Sequence, residues 1–210
     1  MDSRRRARLL TVLAPLVGVL AAWVAHARPS GPRPALAPRE HIQSRHFPDV
    51  TLLTQDGTPV RFYEDLVKGK KVVINFMYSR CKGICSPVTD NLVDVQQQLG
   101  ERVGRDIFFY SISLEPEGDT PADLKAYAER HGVGPGWLFL TGAPEDCERL
   151  RRALGFVDPD PELDRDVTNH AGNVLFGNEP LMLWAACPGQ ADPDWIRQSI
   201  LAEVDRPAVR

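Results

Sequence analysis

In "KVVINFMY", residues 71–78, apolar positions follow one another without the alternation of a half-exposed strand. Such a run predicts a central strand covered on both faces. "DIFFYSISL" at 106–114 and "WLFLTG" at 137–142 predict two more buried strands. Upstream, "FPDVTLLTQDGTPVRFYEDL" holds two short alternating segments around Asp56-Gly57, a hairpin signal.

Between the strands the period changes to that of a helix. Val88, Leu92, Val95 and Leu99 recur at helical spacing until Gly100 stops them. "DTPADLKAYAERHG" carries a complete set of helix signals: Thr120 as N-cap, Pro121 first, Asp123 in the first turn and Gly132 at the end. "APEDCERLRRALG" predicts another helix, with Pro144 near its start and Gly155 beyond its end. Residues 156–168 form a charged, Pro-containing loop, "NHAGNVLFGN" predicts a strand, and "DPDWIRQSILAEV" a closing helix. Strand and helix alternate, so the expected class is an α/β sandwich with a mixed sheet flanked by helices. With 210 residues and 43% hydrophobic composition, one core-forming domain is expected, at 46–205.

Charge changes the picture at the N-terminus. Residues 1–39 carry seven Arg and one Asp, about +6, which leaves about −9 on the rest of a chain whose net charge is −3. The body is mildly acidic without a basic stripe, which excludes nucleic acid as an expected partner. The basic end reads differently. Arg4, Arg5, Arg6 and Arg8 precede an uncharged stretch from Leu9 to Ala25 and the small-residue tripeptide Ala25-His26-Ala27. Residues 1–27 therefore read as a signal peptide or a membrane anchor, with the arginines on the cytoplasmic side. The Pro-rich "RPSGPRPALAPR" that follows reads as part of an extended linker, 28–45. The expected location is extracytoplasmic, on the periplasmic side of the cytoplasmic membrane, anchored or secreted.

Export raises the question of the four cysteines. Cys81 and Cys85 lie three residues apart where the strand "KVVINFMY" gives way to a helix, whereas Cys147 and Cys187 stand alone. Cys147 falls in a helical pattern and reads as a small, partly buried residue; Cys187 reads as a loop thiol. Whether those two pair is left open. Met77, Met182, Trp184 and Trp195 read as packing residues.

The close pair carries the chemistry. A helix N-terminus and the neighbouring Lys82 both favour thiolate over thiol, and thiolate is the nucleophile and the soft-metal ligand. Disulfide exchange and metal binding are thus both open. Three intervening residues, Lys82, Gly83 and Ile84, let two sulfurs face a common point where a third ligand completes a trigonal site, a geometry suited to Cu(I). Zn²⁺ would want a fourth ligand. His26, His41 and His46 lie in the export segment, the linker or the edge of the body, and His131 ends a helix. His170 lies between a polar loop and a strand, where a histidine taken alone is more often inert than a ligand, and the spacing by itself does not single it out.

"VVINFMYSRCKGICSPVTDNL", "FYSISLEPEGDTPADLKAYAERHG", "WLFLTGAPEDCERLRRALG" and a single late His together resemble the Sco/SenC family over about residues 47–204. Its most specific marks here are the Cys spacing, the late His and the S-x-x-P-E-x-D-T-P segment from Ser113 to Pro121. The resemblance implies a thioredoxin-like fold and one copper ion held by Cys81, Cys85 and His170; the spacing favours Cu(I), with Cu(II) as the other form expected. The resemblance also implies that copper is delivered to, or thiols are reduced in, the copper site of cytochrome c oxidase. The implied partners are a copper-accepting oxidase subunit or another cuproprotein, a thiol reductant protein and the membrane. The sequence departs from the family pattern at Lys82-Gly83, where Pro-Asp is usual, and at Asn169, where Asp is usual before the His. Lys82 opposes a bound cation while favouring thiolate. That leaves a second reading: an extracytoplasmic thiol-disulfide oxidoreductase in which Cys81 attacks and Cys85 resolves.

Overall fold

The structure is a computed structural model that describes residues 38–166 and 172–207. The export segment, most of the linker and His170 lie outside the described residues. Among those described, no helix is long and apolar enough to cross a membrane.

Seven strands form one mixed sheet in the order β2-β1-β5-β4-β3-β6-β7. Its centre is β3 (Lys71–Met77), β4 (Ile107–Ser113) and β5 (Trp137–Gly142), all parallel. The hairpin β1 (Thr51–Thr54) and β2 (Pro59–Arg61) extends one side, and β6 (Asn173–Asn178) and β7 (Leu183–Pro188) extend the other, all by antiparallel pairing. The apolar run of β3 behaves as a doubly covered strand should, since Val72 through Met77 are all buried. Val73 and Met77 face one core, and Val72, Ile74 and Phe76 the other.

The first core is closed by α2 (Cys85–Leu99), α3 (Pro121–Arg130) and α6 (Pro193–Val204). Leu92, Val95, Leu124 and Ile200 are buried there, each worth about 1.5–3 kcal/mol of transfer free energy. α3 begins with the expected cap: Thr120 Oγ1 accepts from Asp123 N at 3.2 Å, and Asp123 accepts from Thr120 N at 3.0 Å. α4 (Pro144–Ala153) closes the second core with Cys147 and Leu150.

Four expectations are corrected. α1 (Pro38–His46) occupies the end of the stretch expected to be extended spacer. It is held by a tie invisible to local patterning, Gln43 Nε2 donating to the buried carboxylate of Glu179. The charged loop after α4 contains a further short helix, α5 (Pro161–Asp164), capped by Asp160 and clamped through Asp164 by Arg151 at 2.6 Å. Cys187 is in β7 and buried, not in a loop, and Cys147 is likewise buried. Trp195 is 49% exposed rather than packed. Met77 and Trp184 do pack: Met77 is fully buried, and the Trp184 ring lies 4.7 Å from that of Phe47.

Candidate metal centre

β3 delivers the chain to the carboxyl end of the parallel strands, where ligand sites gather in open α/β sheets. The turn beyond Tyr78 is pinned to the neighbouring crossover rather than left loose. Asp119, fully buried, accepts from Ser79 N at 3.2 Å, from Ser79 Oγ at 2.5 Å and from Ser113 Oγ at 2.6 Å. Leu114 N donates to Met77 O at 2.8 Å, and the Arg80 guanidinium donates to Gly118 O. Asp119 thus fixes where the turn leaves the sheet. It is part of the Ser113–Pro121 segment, so its position was readable in the sequence but its task was not.

Cys81 lies in this turn, half-buried, and Cys85 is the first residue of α2, 2% exposed. The two sulfurs are hydrogen-bonded to each other. Their protonation preferences diverge. Burial opposes the Cys81 thiolate, but hydrogen bonds from the Cys85 side chain, from the Cys85 and Gly83 backbone N–H groups and from the Tyr78 hydroxyl outweigh it and hold the thiol below its ordinary pKa. Burial pushes Cys85 well up, and the bond to Cys81 adds to that despite a backbone N–H donated by Tyr78. Depression of both thiols was expected, and only that of Cys81 holds. The first N–H of the helix is aimed at Cys81, the residue outside it, rather than at Cys85. Lys82 is exposed, and the donors acting on Cys81 are its neighbours in the turn.

Behind the pair, Tyr127 of α3 reaches the first turns of α2, with its hydroxyl 3.0 Å from Thr89 Oγ1 and a further bond to Ser86. Burial pushes its phenol up to about 12. His131 lies against the same ring, 4.4 Å between centroids, and its Nδ1 is 2.6 Å from Asp90. It clamps α3 to α2. His41 and His46 belong to α1.

The structure brings Cys81 and Cys85 together and separates the other two thiols. Cys147 belongs to the core on one face of the sheet and Cys187 to the core on the other, so the sheet stands between them and no bridge joins them. His170 lies outside the described residues. Gly172, two residues on, is described, and its φ of +59° is readily available only to glycine. It presses on the start of α2: a Cβ there would stand 2.6 Å from Ile84 Cδ1 and 3.1 Å from Val88 Cγ2. The chain therefore emerges from its undescribed segment against the residue that precedes Cys85. Among the described residues, no three His, Cys, Asp or Glu side chains cluster as a metal site.

A family model described as SCO1/SenC matches residues 39–205, nearly the whole described body. The chain belongs to the SCO1/SenC family. A SCO1 protein homolog of Bacillus subtilis is 34% identical over 137 residues, 63% of this chain and 69% of that protein. Among solved structures, yeast Sco1 with copper bound superposes with a TM-score of 0.60 at 22% identity, covering 75% of this chain and 90% of that one. BsSco, described with a disulfide switch and as a member of the Sco family of cytochrome c oxidase assembly proteins, gives a TM-score of 0.60 at 24% identity, covering 75% and 92%. The fold of this SCO1/SenC chain is accordingly thioredoxin-like, a mixed central sheet between helices.

Proposed function

We propose that this chain carries copper outside the cytoplasm. It takes one ion, as Cu(I) in preference to Cu(II), on the thiolates of Cys81 and Cys85 and the imidazole of His170. It passes the ion by ligand exchange to the copper site of a respiratory oxidase subunit or another cuproprotein. The observation that carries this reading is the pair itself: two sulfurs in contact on a pinned turn, one already favoured as thiolate, in a SCO1/SenC chain whose yeast relative holds copper. The donors suit the cargo, because thiolates select Cu(I) and a low-coordinate site needs only one more ligand. Gly172 against Ile84 supports His170 as that ligand, since two residues span at most about 7 Å of chain. Loading requires both sulfurs as thiolate, so uptake displaces the proton of Cys85. We assign residues 1–27 to export or anchoring, which puts the site on the outer side of the membrane.

Anaerobic titration of the reduced full-length chain with Cu(I), against a competing chelator, tests this. One tightly held ion per chain is expected. Cys81→Ser or Cys85→Ser should weaken binding more than about 100-fold, and His170→Ala at least about 10-fold, since loss of even an outer-shell partner costs about 10–100-fold. A stoichiometry near one that survives Cys81→Ser refutes the assignment.

A second reading is favoured by the unequal thiols. A stabilised Cys81 thiolate beside a protonated Cys85 is the arrangement of an attacking and a resolving cysteine, and the related BsSco carries a disulfide switch. Under that reading the chain is a thiol-disulfide oxidoreductase served by a thiol reductant protein. His170→Ala separates the two: copper binding falls under the first, and disulfide exchange is untouched under the second.

A further inference from the structure

The sheet has two outer edges, and they are finished differently. β2 is three residues long and opens with Pro59, which has no N–H to offer. It closes with Arg61, whose N–H donates to Asp65 Oδ2 at 2.7 Å and whose guanidinium pairs with Asp49. Shortness, proline and charge are the devices by which natural sheets keep an edge from pairing. β7 has six residues, Leu183-Trp184-Ala185-Ala186-Cys187-Pro188, none of them charged, and its one blunting device is the final proline. It is the outermost strand, and its ladder runs to β6 alone. Antiparallel pairing turns half of a strand's backbone groups towards its neighbour and half away. From Leu183 to Cys187, the groups turned away from β6 have no hydrogen-bond partner among the described residues. Leu183, Trp184 and Ala185 are half-buried and Ala186 is exposed, so solvent reaches the strand.

An unpaired ladder accepts another strand. Charge selects which one. A charged edge calls for an oppositely charged partner, whereas an uncharged edge is complementary to its own copy. The body carries about −9, so two copies repel across most of their surfaces, and β7 is a stretch where they meet without like charges opposed. We propose that β7 is a self-association edge: two copies of the chain pair β7 with β7, antiparallel about a two-fold axis, and join their sheets into one. A closed, self-complementary contact of this kind is the commonest form of dimer. An axis between Ala185 and Ala186 sets Ala185 opposite Ala186 of the second copy, Trp184 opposite Cys187 and Leu183 opposite Pro188. The smallest side chains then meet at the centre, and each proline lies at an end, where its missing N–H interrupts least. Six residues of strand span about 20 Å, a small contact, so the dimer is weak and half the chains pair only on the order of 0.1–1 mM. The inference is independent of the copper and disulfide readings, neither of which uses a residue of β7.

Sedimentation velocity of the full-length chain in mild detergent, from about 10 µM to about 1 mM, reads the dimer. Reductant is present throughout, so no intermolecular disulfide contributes. The same concentration series is followed by hydrogen exchange, because strand pairing protects backbone amides and a side-chain contact does not. A concentration-dependent dimer is expected, with exchange slowed several-fold across residues 183–187 and unchanged in β2. Ala186→Lys puts a charge on the open edge of each copy and should weaken association more than about tenfold, while the uncharged Ala186→Val should leave it within about threefold. Should Ala186→Lys misfold, the exchange series on the parent chain decides. A chain monomeric across the whole range overturns the proposal. So does a dimer that Ala186→Lys leaves intact, or one formed without slowing at 183–187. Full protection of 183–187 in the monomer overturns it as well, because another segment of the same chain then occupies the edge.

Discussion

Two pairs of cysteines sit in this chain, and their surroundings differ more than their sequences do. Cys81 and Cys85 share one turn at the carboxyl end of the central strands, in contact with each other, with donors converging on the outer sulfur. Cys147 and Cys187 are each sunk in a separate core, one on either side of the sheet. Burial pushes Cys147 up to about 12 and Cys187 up to about 11, and nothing pulls either down. The difference teaches that reactivity belongs to the turn rather than to the residue type. A sulfur with backbone N–H groups and a phenol aimed at it is poised for metal or disulfide chemistry, whereas a sulfur among apolar side chains is a packing atom.

The largest effect expected from this contrast is kinetic. At pH 7 iodoacetamide should modify Cys81 on the order of a hundredfold faster than Cys147 or Cys187, because its thiolate is favoured where burial opposes theirs, and because it is half-buried where they are fully buried. Site-resolved alkylation with peptide mapping reads it, and comparable rates at all four positions break the comparison. The order should reverse for stability. Cys147→Ser places a hydroxyl without a partner in an apolar core and should cost about 1–3 kcal/mol in guanidinium unfolding, while the half-buried Cys81→Ser should cost under about 1 kcal/mol.

The smallest effect concerns acid. Asp106 and Asp205 are held below the usual carboxylate range first by hydrogen bonds from Arg102, and Asp164 first by those from Arg151. Depressed carboxylates stabilise the fold above the unfolded-state pKa, about 4, and that contribution is lost as pH falls through the lower folded-state values. The Arg102 pairs are 39–41% exposed on the carboxylate side, so each is worth at most about 1 kcal/mol. Thermal unfolding from pH 7 to pH 3 should show a modest decline confined to the region below about pH 4. Arg102→Gln should flatten it.

How much of this was legible depends on whether the cause was local. α3 was readable to its cap because Thr120, Pro121 and Asp123 act within one turn. β3 was readable because burial on both faces leaves a continuous apolar run. α1 was not, because "PREHIQSRH" has no apolar period and its tie to Glu179 spans 136 residues. β7 was missed for a related reason: it is the outermost strand, only partly buried, and its alternation is too weak to separate from a loop. At the site, sequence reasoning located the pair at the start of α2, but it expected the helix N-terminus and Lys82 to favour the thiolate of both residues. Only the folded turn shows that the free N–H groups face Cys81 and that burial governs Cys85.

The central claim is that two sulfurs and one imidazole meet on a single ion. X-ray absorption at the copper edge, on the full-length chain loaded anaerobically with one equivalent of Cu(I), tests it most directly. The expected spectrum is that of a three-coordinate Cu(I) with two sulfur scatterers and one imidazole nitrogen, and the nitrogen shell disappears in His170→Ala. A first shell with fewer than two sulfurs, or a nitrogen shell unchanged in His170→Ala, contradicts the account.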